Sequence, residues 1–304
     1  MDNFYKPLAE RMPDWQYQNL CLSALKIGVR SVTQQSKKKG EEEKATYSIP
    51  YAVTNIYRIE NGFPMETCRK IGKAGINEGF ALLVNGVRMN SELNKEWGVP
   101  FWNGTFADPR KCQKRGLAPG DMGPASYAVL HDFPIPGGTF NQVQAVLNQI
   151  KELPHLKTHT MTTLYPPGIY RGKGKVQQVV TVPCHGTIIN FLVLGGKLNY
   201  ETVWRSTDLI AGEAHDRIAH AALWLAFCHM LGYSPGIMSI AYLNAHYYEN
   251  QRKTIEEIVA REPRPFPTVT LKDPPDTIEA FRKGHFEITD YDPHPAIDGI
   301  PISP

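Results

Sequence analysis

The sequence predicts an α+β fold in which a layered, mixed sheet packs against a buried helix. Helical and strand patterns interleave along the 304 residues, but without the strict alternation that is typical of a doubly wound parallel sheet. Residues 215–233, HDRIAHAALWLAFCHMLGY, are apolar almost all round, as expected for a helix inside a core. We expect a single domain over residues 1–304, of which residues 1–46 form a variable N-terminal segment.

The first half of the chain predicts few regular elements. The run QQSKKKGEEEKAT at residues 34–46 indicates a charged, solvated loop. Residues 47–59 are rich in β-branched and aromatic types and predict a strand that ends at the turn ENGFP. Residues 68–86 combine apolar positions at helical spacing with a closing glycine, which predicts a helix. Residues 97–124 carry too much glycine and proline for regular structure, and long segments of this kind are usually functional loops.

The second half predicts an amphipathic helix over residues 139–153, followed by strands and by the buried helix. Short runs of β-branched and aromatic residues predict strands at residues 159–165, 176–182, 187–194, 235–248, 265–272 and 285–291.

Composition excludes several classes of protein. A formal net charge of +3 is too small to favour nucleic acid or an anionic membrane as a partner. No stretch approaches the roughly 20 apolar residues of a membrane span, and the N-terminus lacks the apolar core of a signal peptide. The five cysteines are scattered and form no CxxC pair, which disfavours disulfides and a structural zinc site. We therefore expect a protein of the cytoplasm, or of a host cytoplasm if a virus encodes it.

Cys184 stands between two predicted strands, in VVTVPCHGTIINFLVLGG. One interpretation is a small buried hydrophobe at a strand end. The other is a nucleophile held at the rim of a pocket. The neighbouring His185 does not decide between them, because adjacent residues of a strand point to opposite faces.

Other polar residues also have two readings. Glu78 lies in the middle of the apolar run AGINEGFALL. If its carboxylate is buried there, its pKa is raised and suits general acid–base catalysis. The alternative is a glutamate on the surface of the helix. Arg205 and Ser206 are able to bind a phosphate, or they belong with Asp208 to a surface cluster of charges.

The segment LNAHYYEN places His246 and Tyr248 on one face of a predicted strand, either in a site or on a polar outer face. His155 and His159 have the i, i+4 spacing of a metal pair, but Pro154 breaks the helix that such a pair needs. We expect no metal.

In their order along the chain, eight segments resemble the thymidylate synthase family from about residue 47 onward. NGFPMETCRK is similar to that family's DGFPLVTTKR, GDMGPASY to GDLGPVYG, and VPCHGTIINFLV to APCHAFFQFYV. The remaining similar segments are NEGFALLVNG, RSTDLIAGEAHDRIAHAAL, LNAHYYEN, REPRPFP and FEITDYDPHPAI. The resemblance implies a thymidylate-synthase-like fold and a homodimer formed through the sheet.

The resemblance also implies a covalent mechanism with 5,10-methylenetetrahydrofolate as co-substrate and a pyrimidine nucleoside monophosphate as substrate. Cys184 would add to carbon 6 of the base, which makes carbon 5 nucleophilic, and Glu78 would organise proton transfers. The further roles that the family implies are the phosphate contacts of Arg205 and Ser206, the sugar contacts of His246 and Tyr248, and the folate contacts of Trp102, Asp208, Gly212 and Glu78. His185 accompanies the nucleophile.

The sequence departs from the methylating members at Asp216, where they carry asparagine. Asparagine matches uracil, whereas an aspartate accepts from the 4-amino group of cytosine, with one shared proton completing the pair at N3. Cytidylate hydroxymethylases of the family make this replacement. In synthases, a second subunit contributes arginines that bind the phosphate. At the corresponding place, the only charged residue of this chain is Lys157. The N-terminal arginine loop of the family has no clear match in this chain, where Arg30 or residues 37–39 would have to take its place.

We therefore expect a deoxycytidylate 5-hydroxymethyltransferase of nucleotide biosynthesis, an activity also used in phage DNA modification. The alternatives are a CMP hydroxymethylase, a dCMP or dUMP C5-methyltransferase, and a non-catalytic nucleotide-binding module.

Overall fold

The computed structural model describes residues 4–34, 44–102, 107–124, 126–170 and 186–302. The α-helices of this part of the chain are α1 (Gln16–Ile27), α2 (Ala74–Gly79), α3 (Asn90–Lys95), α4 (Pro109–Gln113), α5 (Gln142–Glu152), α6 (Pro166–Ile169), α7 (Glu213–Leu231) and α8 (Arg252–Ala260). Its strands are β1 (Val29–Gln34), β2 (Lys44–Ser48), β3 (Val53–Arg58), β4 (Phe133–Ile135), β5 (Gly138–Phe140), β6 (Thr160–Thr162), β7 (Gly186–Leu194), β8 (Lys197–Trp204), β9 (Thr207–Asp208), β10 (Ser234–Tyr242), β11 (Ala245–Tyr248), β12 (Thr268–Leu271) and β13 (Phe286–Thr289).

Two mixed sheets form the layers. The larger sheet has the order β3-β10-β8-β7-β6, in which β10 and β8 run parallel and the other neighbours antiparallel. The second sheet has the order β1-β2-β11-β9, with β11 and β9 parallel. Two hairpins, β4-β5 and β12-β13, complete the described strands. The predicted α+β class with a layered, mixed sheet is confirmed.

Helix α7 lies in the core, as its apolar sequence predicts. Most of its 19 residues are buried, and Trp224 and Phe227 are fully enclosed. The helix ends at Gly232, whose left-handed φ of 73° allows its N–H to bond to the carbonyls of Cys228 and His229.

Helix α2 contacts α7 closely because it presents glycines at i and i+4. A Cβ at Gly75 would lie 2.8 Å from the carbonyl oxygen of His215, and a Cβ at Gly79 would lie 2.7 Å from Cβ of Ala219. Both distances are too short for a side chain, so the two backbones meet at a separation that only glycine allows. A π-helical turn, Phe80–Val84, continues α2.

A buried ion cluster connects α7 with the segment between β3 and α2. Arg217 is fully buried and lies 3.1 Å from carboxylate oxygens of both Glu66 and Glu213. The hydroxyl of Tyr242 donates to Glu213 at 2.7 Å. Because each buried charge has a partner of opposite sign, the cluster avoids the high cost of an isolated ion in the core.

Four predictions differ from the structure. Residues 97–124 were expected to lack regular structure, but they contain α4, whose first turn is capped by Asp108. The expected helix over residues 68–86 begins only at Ala74. The expected strand over residues 47–59 is divided into β2 and β3, because Pro50 lies between them and cannot donate to a ladder. The expected strand over residues 235–248 is divided into β10 and β11, which belong to different sheets.

Strand β8 was not predicted, although its buried and exposed residues alternate. It pairs with β7 across a turn at Gly195 and Gly196, both with positive φ. The predicted strand at residues 176–182 lies outside the described residues.

The four described cysteines, Cys21, Cys68, Cys112 and Cys228, are free thiols, and all of them are buried. No helix of the described ranges has the length and apolarity that crossing a membrane requires.

Candidate active site

A cavity of about 570 Å³ opens between α2, the start of α7 and the second sheet. One wall is formed by Glu78 and Leu82 from the α2 region and by Asp216 and His220 from α7. The lining also contains side chains of β1, β2 and β11 and of the segment that follows β8. The cavity is therefore lined by the elements that carry most of the residues singled out in the sequence.

Glu78 is brought to this cavity by the close contact of α2 with α7. Its Oε1 accepts a hydrogen bond of 2.7 Å from Nε1 of Trp102. Burial first, and the nearby charge of Asp216 second, raise the pKa of Glu78 to about 8, against the lowering effect of the Trp102 hydrogen bond. The carboxyl group is consequently protonated for the most part at neutral pH and is able to donate a proton.

Asp216 stands in the first turn of α7, where its backbone N–H bonds to the carbonyl of Gly212 at 3.0 Å. A carboxylate is favoured at this end of a helix, because the first N–H groups carry partial positive charge. The side chain is half-buried and lines the cavity. It therefore offers a polar acceptor to a ligand beside the proton of Glu78.

Arg205 and Ser206 follow directly after β8, and both line the cavity. On the adjacent strand β11, Nδ1 of His246 lies 3.0 Å from Oδ1 of Asn244. Because that oxygen only accepts, Nδ1 carries the hydrogen of this bond. Tyr248, two residues along β11, lines the same cavity.

Asp208 organises the segment around it. Its Oδ1 accepts from the N–H groups of Ile210 at 2.9 Å and Ala211 at 3.1 Å, which fixes the turn that leads into α7. Its Oδ2 accepts a bond of 2.8 Å from the amide of Gln251.

Gln251 is fully buried and connects three parts of the site. Its Nε2 donates to the carbonyl of Pro301 at 2.9 Å as well as to Asp208, and its Oε1 accepts from the N–H of Tyr248 at 2.9 Å. Ile300 and Ile302 on either side of Pro301 line the cavity. The C-terminal segment is thus one of the cavity walls.

Most residues expected in a site line this cavity: Glu78, Trp102, Arg205, Ser206, Asp208, Gly212, Asp216, His246 and Tyr248. Cys184 and His185 lie outside the described residues, as do Lys37, Lys38 and Lys39. Lys157 is exposed and does not line the cavity of its own chain. Arg30 pairs with Glu249 at 2.9 Å on the surface.

Sequence reasoning missed several residues of the site, among them Arg69, His215, His220 and Asn244, which line the cavity, and Gln251 behind them. His220 was detectable, because it follows Asp216 by four residues and so shares its helix face. Within the described ranges, no three His, Cys, Asp or Glu side chains are grouped as metal ligands would be.

Comparison with known proteins identifies the family of the chain. The family model described as thymidylate synthase matches residues 15–302. Two similar proteins are the bifunctional dihydrofolate reductase-thymidylate synthases of Zea mays and Glycine max. Each is 24% identical to this chain over 96% of the chain's length, and the match covers 55% of the first relative and 54% of the second. The chain spans about half the length of these curated relatives. Since the family model covers nearly all of the chain, the chain belongs to the thymidylate synthase family.

Proposed function

We propose that this protein transfers a one-carbon unit from 5,10-methylenetetrahydrofolate to carbon 5 of a cytosine nucleotide, with dCMP favoured, and releases 5-hydroxymethyl-dCMP. The observation that carries the proposal is the pairing of two carboxyl groups in one cavity, the proton-bearing Glu78 and the half-buried Asp216. The first suits proton transfer at the base, and the second suits recognition of cytosine.

Cys184 is the proposed nucleophile. Its thiolate adds to carbon 6 of the pyrimidine, carbon 5 becomes enamine-like, and carbon 5 then attacks the methylene carbon of the folate. Support comes from Gly186, which lies against the cavity-lining His220: a Cβ at Gly186 would be 3.3 Å from Cε1 of that ring. The proposed nucleophile stands two residues before Gly186 in the sequence.

Asp216 is the proposed determinant of the base. Its carboxylate accepts from the 4-amino group of cytosine, and a proton shared with N3 completes the pair. With uracil, the carboxylate would face the O4 acceptor, and burying that pair of acceptors without a proton is costly. A site built to pair with one base discriminates strongly against another that leaves its groups unpaired.

The nucleotide is held at both ends in this proposal. Arg205 and Ser206 bind the phosphate, since a guanidinium pairs two phosphate oxygens at once. His246 and Tyr248 bind the sugar hydroxyl. Because Lys157 does not line the cavity of its own chain, its contact with the phosphate requires a second copy of the chain.

The proposed homodimer uses the outer face of the five-stranded sheet. Ile56 on β3 and Ile188 on β7 point outward there with 49% and 41% of their surface exposed. Sedimentation at micromolar concentration tests this part, and we expect a dimer. A stable monomer would contradict it and would also remove the role of Lys157.

Trp102, Asp208, Gly212 and Glu78 are the proposed contacts of the folate. After the folate leaves, carbon 5 carries an exocyclic methylene group. Addition of water gives the hydroxymethyl product and leaves tetrahydrofolate, whereas hydride transfer gives a methyl product and dihydrofolate. We favour water because Asp216 accompanies hydroxymethylation in the family, while a 5-methyl-dCMP synthase is the second candidate.

The test is incubation with methylenetetrahydrofolate and, in parallel, dCMP, CMP or dUMP. We expect 5-hydroxymethyl-dCMP without stoichiometric dihydrofolate, and equal turnover of dCMP and dUMP would overturn the reading of Asp216. Asp216→Asn should move preference toward dUMP.

Cys184→Ala should bind nucleotide but release no tritium from carbon 5. Nucleotide binding without turnover in the unmodified protein would indicate a non-catalytic module.

A further inference from the structure

The side-chain amide of Gln251 joins two halves of the site. Gln251 ends the 3-10 turn Glu249–Gln251, which follows β11, and its surface is fully buried. Its Oε1 accepts from the N–H of Tyr248, and its Nε2 donates to Oδ2 of Asp208 and to the carbonyl of Pro301. Because the first partner is a donor and the other two are acceptors, only one orientation of the amide satisfies all three.

The oxygen end of the amide supports the strand that carries the proposed sugar contacts. Tyr248 is the last residue of β11, and its side chain lines the cavity together with that of His246. The bond of 2.9 Å from the N–H of Tyr248 to Oε1 of Gln251 holds the end of this strand in place.

The amino end of the amide fixes the carboxylate of Asp208. One of its hydrogens bonds to Oδ2 at 2.8 Å, while Oδ1 accepts from the N–H groups of Ile210 and Ala211. Both oxygens of this carboxylate therefore have a donor from the protein, so its orientation is set before any ligand contacts it.

The second hydrogen of the amino end holds the C-terminal wall of the cavity. Within residues 296–302, all of which the structure describes, the bond of 2.9 Å from Gln251 to the carbonyl of Pro301 is the only hydrogen bond. Ile300 and Ile302 line the cavity with apolar side chains. Apolar contacts are not directional, so the bond to Pro301 determines how this segment lies against the cavity.

We propose that Gln251 is a positioning residue whose amino group sets the affinity for the folate co-substrate, while its oxygen supports the nucleotide strand. The inference rests on the proposed function, in which Asp208 contacts the folate. Because one amino group donates to Asp208 and to Pro301, it holds the carboxylate and the C-terminal wall in a fixed relation. The cost of ordering that wall is then not subtracted from the binding free energy of the co-substrate.

The test compares Gln251→Glu with Gln251→Met at pH 8, which favours the ionised form of the new carboxyl group. Glutamate keeps an oxygen for the N–H of Tyr248 but offers no hydrogen to Asp208 or Pro301. Methionine has a similar length and loses all three bonds. The first readout is the KM for methylenetetrahydrofolate and for dCMP. The second is deuterium uptake by the peptide of residues 295–304 in the protein without ligands.

In Gln251→Glu we expect the KM for methylenetetrahydrofolate to rise at least about 10-fold, while the KM for dCMP changes less than about 3-fold. Deuterium uptake by the C-terminal peptide should become faster. In Gln251→Met, both KM values should rise. A rise of both KM values by the same factor in Gln251→Glu, no rise in either, or an unchanged uptake overturns the role of the amino group while the proposed function stands.

The double variant Asp208→Asn, Gln251→Glu separates positioning from general stability. The new amide at position 208 is able to donate to the new carboxylate at position 251, so this bond returns with its direction reversed, whereas Pro301 still lacks a donor. We expect the stability in urea to recover relative to Gln251→Glu, while the C-terminal peptide still exchanges fast. Slow exchange that returns together with stability overturns the inference, because Gln251 would then act through packing alone. If the unmodified protein does not turn over dCMP with the folate, the proposed function fails first, and the inference fails with it.

Discussion

Replacing Glu78 by glutamine should remove a loss of stability that the unmodified protein undergoes as the pH rises from 5 to 9. The pKa of Glu78 is raised to about 8 in the folded chain from an ordinary value of 4.5, by burial first and by the charge of Asp216 second. Folding therefore favours the protonated form. The contribution of this group to the free energy of unfolding is fully present below pH 4.5 and is lost as the pH rises through about 8.

The size of the effect follows from the displacement of the pKa. At about 1.4 kcal/mol per pKa unit, ionising Glu78 costs the folded protein about 5 kcal/mol in total. Relative to Glu78→Gln, which has no proton to lose, the unmodified protein should lose about 2 to 3 kcal/mol of stability between pH 5 and pH 7, and about 4 kcal/mol between pH 5 and pH 9.

The assay is urea unfolding of both proteins at these three pH values, in the absence of ligands. Glu152→Gln, at the exposed end of α5, is the matched control for the loss of a carboxylate. Stability differences between Glu78→Gln and the unmodified protein that stay constant from pH 5 to pH 9 would refute the reasoning, because Glu78 would then ionise as easily in the folded as in the unfolded chain.

Two further substitutions test the packing that carries the site. Arg217→Met leaves Glu66 and Glu213 buried without their cation and should cost about 3 to 5 kcal/mol in urea unfolding, whereas Arg217→Lys should cost less; equal losses would argue against the ion cluster. Gly79→Ala should cost about 1 to 3 kcal/mol, because the new Cβ would meet that of Ala219, and Ala219→Gly in the same chain should recover most of the loss; no recovery would locate the strain elsewhere.

The elements that could be predicted from the sequence are those in which the pattern of apolar residues directly reflects how the element is buried. Helix α7 is apolar on all faces because all faces are enclosed, so its burial was readable from composition alone. Strand β7 likewise follows from a continuous β-branched and aromatic run. The helix expected from residue 68 starts later, since residues 68–73 are held by contacts with distant parts of the chain. Ile71, for example, donates its N–H to the hydroxyl of Tyr291.

The same limit applies to the site. Glu78 and Asp216 were selected for their unusual context in the sequence, yet their proximity depends on the glycine contact between α2 and α7, which no local pattern reveals. Gln251 has no special sequence context. Its importance arises from three hydrogen bonds. Two of them reach Asp208 and Pro301, which are 43 and 50 residues away in the sequence, and the third joins it to Tyr248 nearby. Only the folded chain brings these three partners together.

The burial of four cysteines makes the fifth one individually measurable. Burial raises the pKa of Cys21, Cys68 and Cys228, which keeps these thiols in their unreactive form, and Cys112 is fully enclosed as well. An alkylating reagent added to the native protein at neutral pH should therefore leave all four intact, so rapid labelling is assignable to Cys184 without any substitution. The rate of that labelling can be followed by mass spectrometry in the presence of one nucleotide at a time. The decrease in rate then ranks the nucleotides by how well each protects the sulfur of Cys184.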